Sequence, residues 1–515
     1  MKLVKYIFIL ILLAAACSSF DGNEQPAGRI ASIEPEYAGV TIPPNIAPMN
    51  FTIREEGKNF SVNVTSEKSS EKIEVRSGNG KIMFPIKAWK KLLGDSRGSS
   101  IRFEIKIMNN DGSVAGFEPF HMEVASEPVD PYLVYRLIPP GYYSWSHIRI
   151  MQRCLENFTE TPVVDNAILD KNCINCHSFA GNDPERFMVH VRGSKGGTYF
   201  MDQGEIKRTD PKIESMPGSA TYPSWHPGGR YVAFSSNQVR QSFYAGSGKS
   251  IEVFDLAGSM VLYDTRENKI INVNEEDTTK YLRTFPGWSA DGKYLYYCRA
   301  LNIIPAEPGM AEITSVRHDL VRKSFDEASE SFGTTEVVYN ASAENKSISF
   351  PRTSPDGIYL VFTLHDFGTF PIWHKEADLY SIELGTGKVS KMDLNSDFAE
   401  SYHSWSSNGR WLVFSSKRSD GRSTRPFIAW IDENGRSAKP FMLPQKDPEY
   451  YHSLIESFNI PEFVSGKIKA GPRDFARATK LQALKAESAQ PEEIGKPNPQ
   501  TEEKNPDGTT RPVHQ

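Results

Sequence analysis

Between residues 29 and 124 apolar and polar positions alternate in short runs. Phe60, Val62 and Val64 are separated by polar residues, as are Ile73 and Val75, and Ile101, Phe103, Ile105 and Ile107 repeat with a period of two. That period belongs to strands with one buried face. Asn109-Asn110-Asp111-Gly112 supplies a tight hairpin turn before Val114, and Phe120, Met122 and Val124 resume the alternation. One helical stretch interrupts it near 88–93. The pattern predicts a β-sandwich of immunoglobulin type over 29–126, without a Cys–Trp–Cys framework. Glu127-Pro128-Val129-Asp130-Pro131 then breaks the pattern. A connector is expected over 127–165, with a helix around 148–158.

Past this boundary one segment recurs four times. Tyr222-Pro-Ser-Trp225-His-Pro-Gly-Gly229 precedes Tyr231-Val-Ala-Phe234, and Phe285-Pro-Gly-Trp288-Ser-Ala-Asp-Gly292 precedes Tyr294-Leu-Tyr-Tyr297. Phe350-Pro-Arg-Thr353-Ser-Pro-Asp-Gly357 precedes Tyr359-Leu-Val-Phe362, and Tyr402-His-Ser-Trp405-Ser-Ser-Asn-Gly409 precedes Trp411-Leu-Val-Phe414. Each unit reads as a short strand, a turn that needs glycine at positive φ, and an apolar strand. Hairpin patterns follow three of them, at 261–273, 378–389 and 427–435. Four strands per unit, stacked radially, make a propeller blade. The stretch 188–201 looks like the second half of a further blade, whose opening is held by 172–179. Five blades are visible, and the two chain ends can supply a sixth. The expectation is an all-β chain with a propeller of five or six blades over 166–465. A tail over 466–515 follows, helical at 470–485 and then rich in Pro, Glu, Lys, Asn and Thr.

At the propeller entrance, 166–192, Cys173, Cys176 and His177 form C-x-x-C-H. That string reads as covalent attachment of one c-type haem, two thiols bonding the vinyl groups and the imidazole reaching the iron as proximal ligand. The competing readings are a chance match, a redox pair, or half a zinc site. No second ligand pair follows to complete a zinc site. Met188 and His190 are the nearest soft and imidazole groups for the second axial position. They stand two apart in a strand-like M-V-H-V and so share a face.

Compartment bears on this reading. Two lysines, a short apolar core and small residues before Cys17 describe a signal peptide over 1–16, followed by a polar tether over 17–28. Ala14-Ala15-Ala16-Cys17 resembles a bacterial lipobox, with Ala14 where Leu is usual. The resemblance implies acylation of Cys17 and a lipid-anchored body in the cell envelope, on the outer membrane facing the periplasm or the surface. With Cys17 assigned to lipid and Cys173 and Cys176 to haem, Cys154 and Cys298 remain of the five cysteines. They pair as a disulfide or stay as two buried thiols.

The net charge is −5, from 59 basic and 64 acidic residues, which argues against a nucleic-acid partner. No catalytic residue is assigned. No G-x-S-x-G elbow follows the propeller, and Gly246-Ser-Gly248-Lys249-Ser250 lacks the first glycine and the βα context of a P-loop.

The four repeats, together with C-x-x-C-H, His190-Val-Arg-Gly and Phe370-Pro-Ile-Trp-His-Lys-Glu-Ala-Asp-Leu379, resemble Bacteroidetes TolB-like propeller lipoproteins with an embedded haem motif. The resemblance implies an envelope protein of unassigned function, and an imidazole at His190 that would serve as distal iron ligand. The expected role is electron transfer or redox sensing through one haem, with a protein partner on a propeller face. The alternatives are a peroxidase-like haem enzyme and a non-catalytic binding or scaffold propeller.

Overall fold

In the computed structural model, which describes residues 20, 24–140, 147–243, 251–274 and 279–489, the alternating N-terminal stretch folds as two sheets. Ile101, Phe103, Ile105 and Ile107 are buried on one face of strand Ser99–Met108. That strand pairs antiparallel with Asn59–Ser66, with Phe120–Val124 and, past the expected turn, with Val114–Gly116. A three-stranded sheet of Ile33–Glu34, Phe51–Ile53 and Lys81–Ile82 packs over the same core. Helix Ile86–Asp95 buries Trp89, Leu92 and Leu93, a spacing that gathers apolar side chains on one helical face.

The stretch 127–165 is not a connector. Strands Tyr132–Ile138, Arg149–Cys154 and Glu160–Asp165 form the first of six sheets together with Ser457–Val464 from far down the chain. Arg149–Cys154 lies between two strands and is buried on both faces. Its sequence therefore lacks the polar alternation that marks a half-exposed strand, and the expected helix is a strand.

Five more sheets follow in chain order. Their first strands are Cys173–Phe179, Ala220–Trp225, Tyr281–Trp288, Ser347–Thr353 and Glu400–Trp405. These strands lie side by side in sequence, and Ser457–Val464 stands between the last and the first of them, so the ring closes around an axis. The sheets thus form a β-propeller. The turns behave as the repeats predict: Gly229, Gly292, Gly357 and Gly409 hold φ of 69°, 72°, 73° and 69°.

The repeated tryptophan is a latch between neighbouring sheets. Trp225 donates its indole N–H to the Ser178 carbonyl, Trp288 to that of Ser224, and Trp405 to that of Arg352, at 3.1, 3.2 and 3.2 Å. Thr353, which replaces tryptophan in the fifth sheet, donates its hydroxyl to the Trp288 carbonyl at 2.5 Å. Each bond satisfies a carbonyl at a seam between neighbouring sheets.

The N-terminal sandwich is fused to the sixth sheet. Their buried apolar residues form one cluster, and the Asp130 carboxylate accepts hydrogen bonds from Ser407 N and Oγ at 2.8 and 2.6 Å. At the other end, only Pro472–Ala478 of the expected 470–485 helix is helical. Beyond it Leu484–Lys485 and Glu487–Ser488 add parallel strands to the outer edges of the second and third sheets.

Candidate functional site

Each inner strand ends at the same turn, closed by a backbone hydrogen bond from Ala180, His226, Ser289, Ser354 or Ser406. Counting back from that turn aligns Cys176-His177-Ser178-Phe179 with Tyr222-Pro223-Ser224-Trp225 and its three later copies. Every one of these strands also shifts register once, through an extra residue. Ile460-Pro461-Glu462-Phe463, on the closing strand, is the sixth copy, with Ile460 in place of the aromatic residue and Phe463 in place of tryptophan. The C-x-x-C-H string is therefore itself the opening strand of a blade. Cys176 stands where Tyr222, Phe285, Phe350 and Tyr402 stand. These four residues have left-handed backbones, with φ of 51° to 55°, which bend the strand inward.

The bend brings the aromatic rings together on the axis. Centroids lie 4.8 Å apart for Tyr222 and Phe285, 4.0 Å for Phe285 and Phe350, and 5.0 Å for Phe350 and Tyr402. Above them, on the side of the turns, opens a cavity of about 380 Å³, a size that suits a small molecule. Cys176, His177, Arg352, His403 and Glu462 line it with the aromatic residues.

The hydroxyls of Tyr222 and Tyr402 are buried and make no hydrogen bond. The rings of His177 and His403 are buried beside the Ile460 and Phe350 backbones. His403 Nε2 donates to the Val361 carbonyl at 2.9 Å. Burial, aided by the Arg136 guanidinium, pushes the His177 imidazole down to about 3, and burial takes His403 to about 3 as well. Both rings are neutral at physiological pH. The Glu462 carboxylate, 3.9 Å from His177 Nε2, is pushed up to about 7 by burial, against the pull of Arg352.

The thiols and the imidazole of C-x-x-C-H were expected to meet one haem. In the ladder Cys173 pairs with Arg192, Cys176 with His190, and His177 with Val189. Successive side chains of a strand point to opposite faces. Cys173 packs against the cluster that holds Val189, whereas Cys176 packs into the cluster of Tyr222 and Phe285, so the two thiols lie in different packing environments. Cys173 does not line the cavity, and the neighbouring sheets fill both faces of the strand. On this strand the three residues do not fit one haem.

The structure likewise does not bring His190 to His177. His190 is buried, with Nδ1 3.1 Å from Thr198 Oγ1, and burial beside Arg192 pushes it down to about 3. Met188 is buried in the apolar packing between the second and third sheets. Cys154 and Cys298 belong to the first and fourth sheets and are free thiols, so the disulfide is not formed. Among the described residues no group of three or more His, Cys, Asp and Glu side chains is placed to hold a metal ion. Cys17 and the 246–250 stretch lie outside the described residues.

Ring and cavity define a β-propeller with a pocket at one end of its axis. No protein-family model matches the chain, and no curated protein matches it. Solved propellers do. A structure of the Dos1 propeller is 13% identical, with a TM-score of 0.33, over 53% of this chain and 63% of that one, less than two thirds of its length. The Swd1 β-propeller domain from Myceliophteria thermophila is 11% identical, with a TM-score of 0.32, over 73% and 97%. An auxiliary nutrient binding protein from Bacteroides thetaiotaomicron is 11% identical, with a TM-score of 0.33, over 78% and 96%.

Proposed function

We propose that this chain is a lipid-anchored envelope protein whose six-bladed propeller binds a small ligand, without catalysis, at the mouth of its axis. One observation carries the reading: a cavity of about 380 Å³ opens at the mouth of the axis, walled by Tyr222, Tyr402, Phe285 and Phe350 with Arg352 and Glu462 among them. A cavity of this size with aromatic walls and a few polar groups supports a small occupant. The six-bladed count rests on the six sheets and their closed ring of inner strands. The immunoglobulin likeness of the first domain is supported by Thr41–Ile42, which pairs parallel with the last strand, Phe120–Val124. The anchor is Cys17.

Ligand-detected NMR of the mature chain against small aromatic fragments tests the reading. Fragments should bind, and filling the mouth with Ser404→Trp or, independently, Ser178→Phe should abolish their signals while the urea melt stays intact. Binding indifferent to both fillings removes the reading.

A second reading keeps the haem and assigns the chain to electron transfer or redox sensing with a protein partner. The buried, neutral imidazole of His177 favours it. The placement of Cys173 and Cys176 in different packing environments weighs against it. It requires the inner strand of the second sheet to leave the ring, and a haem mass retained after denaturation would put it first.

A further inference from the structure

The cavity wall carries one guanidinium and one carboxyl group. Arg352 and Glu462 are its two acidic or basic residues beside the histidines. Asp255, Arg192 and Arg136 act on Tyr222 or Tyr402 without lining the wall. Arg352 donates from Nη1 to the Pro286 carbonyl at 3.0 Å, and the Glu462 carboxyl group lies 3.9 Å from His177 Nε2. Both side chains are half-buried. They are near enough to act on one another, yet they do not meet in an ion pair.

Two opposite charges held apart on one wall set a condition on the occupant. A charge taken out of water costs free energy unless an opposite charge meets it. An anion would answer Arg352 and crowd Glu462, and a cation would do the reverse. A molecule that carries both charges answers both. The ring of Tyr222, Phe285, Phe350 and Tyr402 supplies an aromatic floor beneath, which favours a flat apolar body.

We infer that the pocket takes a free α-amino acid with an aromatic side chain, its carboxylate received by Arg352, its ammonium by Glu462 and its ring by the floor. The inference rests on the reading above that the cavity is a binding site. An α-amino acid holds its two charged groups on a single carbon, so it bridges a gap too wide for a direct ion pair. Each end then makes a hydrogen bond between charged partners, which is stronger than a neutral one.

Three probes that share a phenyl group test it on the mature chain: L-phenylalanine, phenylpropionate, which lacks the ammonium, and phenethylammonium, which lacks the carboxylate. Calorimetry should show L-phenylalanine binding about tenfold more tightly than either of the others, the gain expected of one charged hydrogen bond. Arg352→Gln should erase its advantage over phenethylammonium, and Glu462→Gln its advantage over phenylpropionate. Binding of the probe that each substitution spares shows that the variant is folded. If phenylpropionate or phenethylammonium binds as well as L-phenylalanine, and Ser404→Trp blocks it, the site stands and the zwitterion is wrong. The zwitterion is equally wrong if no probe binds while the aromatic fragments above do. If neither probes nor fragments bind in a way that Ser404→Trp and Ser178→Phe both abolish, the site itself falls, and this inference with it.

Discussion

His177 and His403 occupy the same position in two inner strands of the ring, the position that proline holds in the other four, as Pro223, Pro286, Pro351 and Pro461. Both rings are buried and neutral, and both line the axial cavity. Proline at this position has no polar side chain to satisfy. Each histidine adds a buried donor or acceptor, an arrangement that costs stability unless something meets it. That cost falls on the two sheets flanking the first, on either side of Glu462.

The tryptophan latch makes a stability prediction. Trp288→Phe keeps most of the apolar bulk and removes the donor to the Ser224 carbonyl. A buried acceptor left alone costs about 1–3 kcal/mol, and urea unfolding should show a loss in that range. A loss no larger than that of an exposed substitution, such as Ile358→Val, would count against the latch.

Stability should fall in mild acid. Folded His177, His190 and His403 titrate at about 3 and His318 at about 4, against 6.5 when unfolded. Their contribution is complete above pH 6.5 and is lost as pH falls. Glu462 and Asp255, raised to about 7 by burial, act in the opposite sense and lose stability as pH rises toward 7. Four groups oppose two, so the net slope between about pH 4.5 and 6.5 follows the histidines. Each excess proton taken up by the unfolded chain is worth about 1.4 kcal/mol per pH unit. Urea midpoints should drop from pH 7 to pH 5, and His177→Gln should flatten the drop. A midpoint that rises toward pH 5 would refute the assignment.

Cys173 and Cys176 should carry no haem. Protein made alongside haem-maturation machinery is expected to show its bare mass after denaturation, with both thiols open to alkylation. Cys176→Ala should still fold, at a cost of about 1 kcal/mol for a small buried side chain. A covalent haem mass, lost on replacing both cysteines by alanine, would reverse this and restore the electron-transfer reading.

Cys17→Ser should move the protein from the membrane to the soluble fraction, since acyl chains supply most of a lipoprotein's membrane affinity. Fractionation with membranes in that variant would contradict the anchor.

Much of the ring was legible because its repeats carry their own reasons. Gly229, Gly292, Gly357 and Gly409 are required by left-handed turns, and Trp225, Trp288 and Trp405 by the seams. The first sheet was not legible. Its strands are buried on both faces and read as helix or connector, and its inner strand, Ser457–Val464, is supplied from the far end of the propeller. The site was half legible. His177 stood out for the wrong reason, because C-x-x-C-H suggests a helical turn, and pairing with Arg186–Arg192 overrode that local pattern. Arg352 and Glu462 carried no signal at all, since only the closed ring makes them neighbours across an axis.

The way the ring closes also sets an order in time. Tyr132–Ile138 waits for Ser457–Val464, so the sheet begun first is finished last. A chain that folds from its N-terminus forms five sheets before the strand that joins them. Until then the first sheet exposes an unpaired inner edge, the kind of edge that recruits foreign strands. The pocket cannot exist during that interval, because Glu462 arrives with the closing strand. The pocket is therefore a report that the ring has closed, and a chain cut short before residue 457 should lack it however well its other blades have formed.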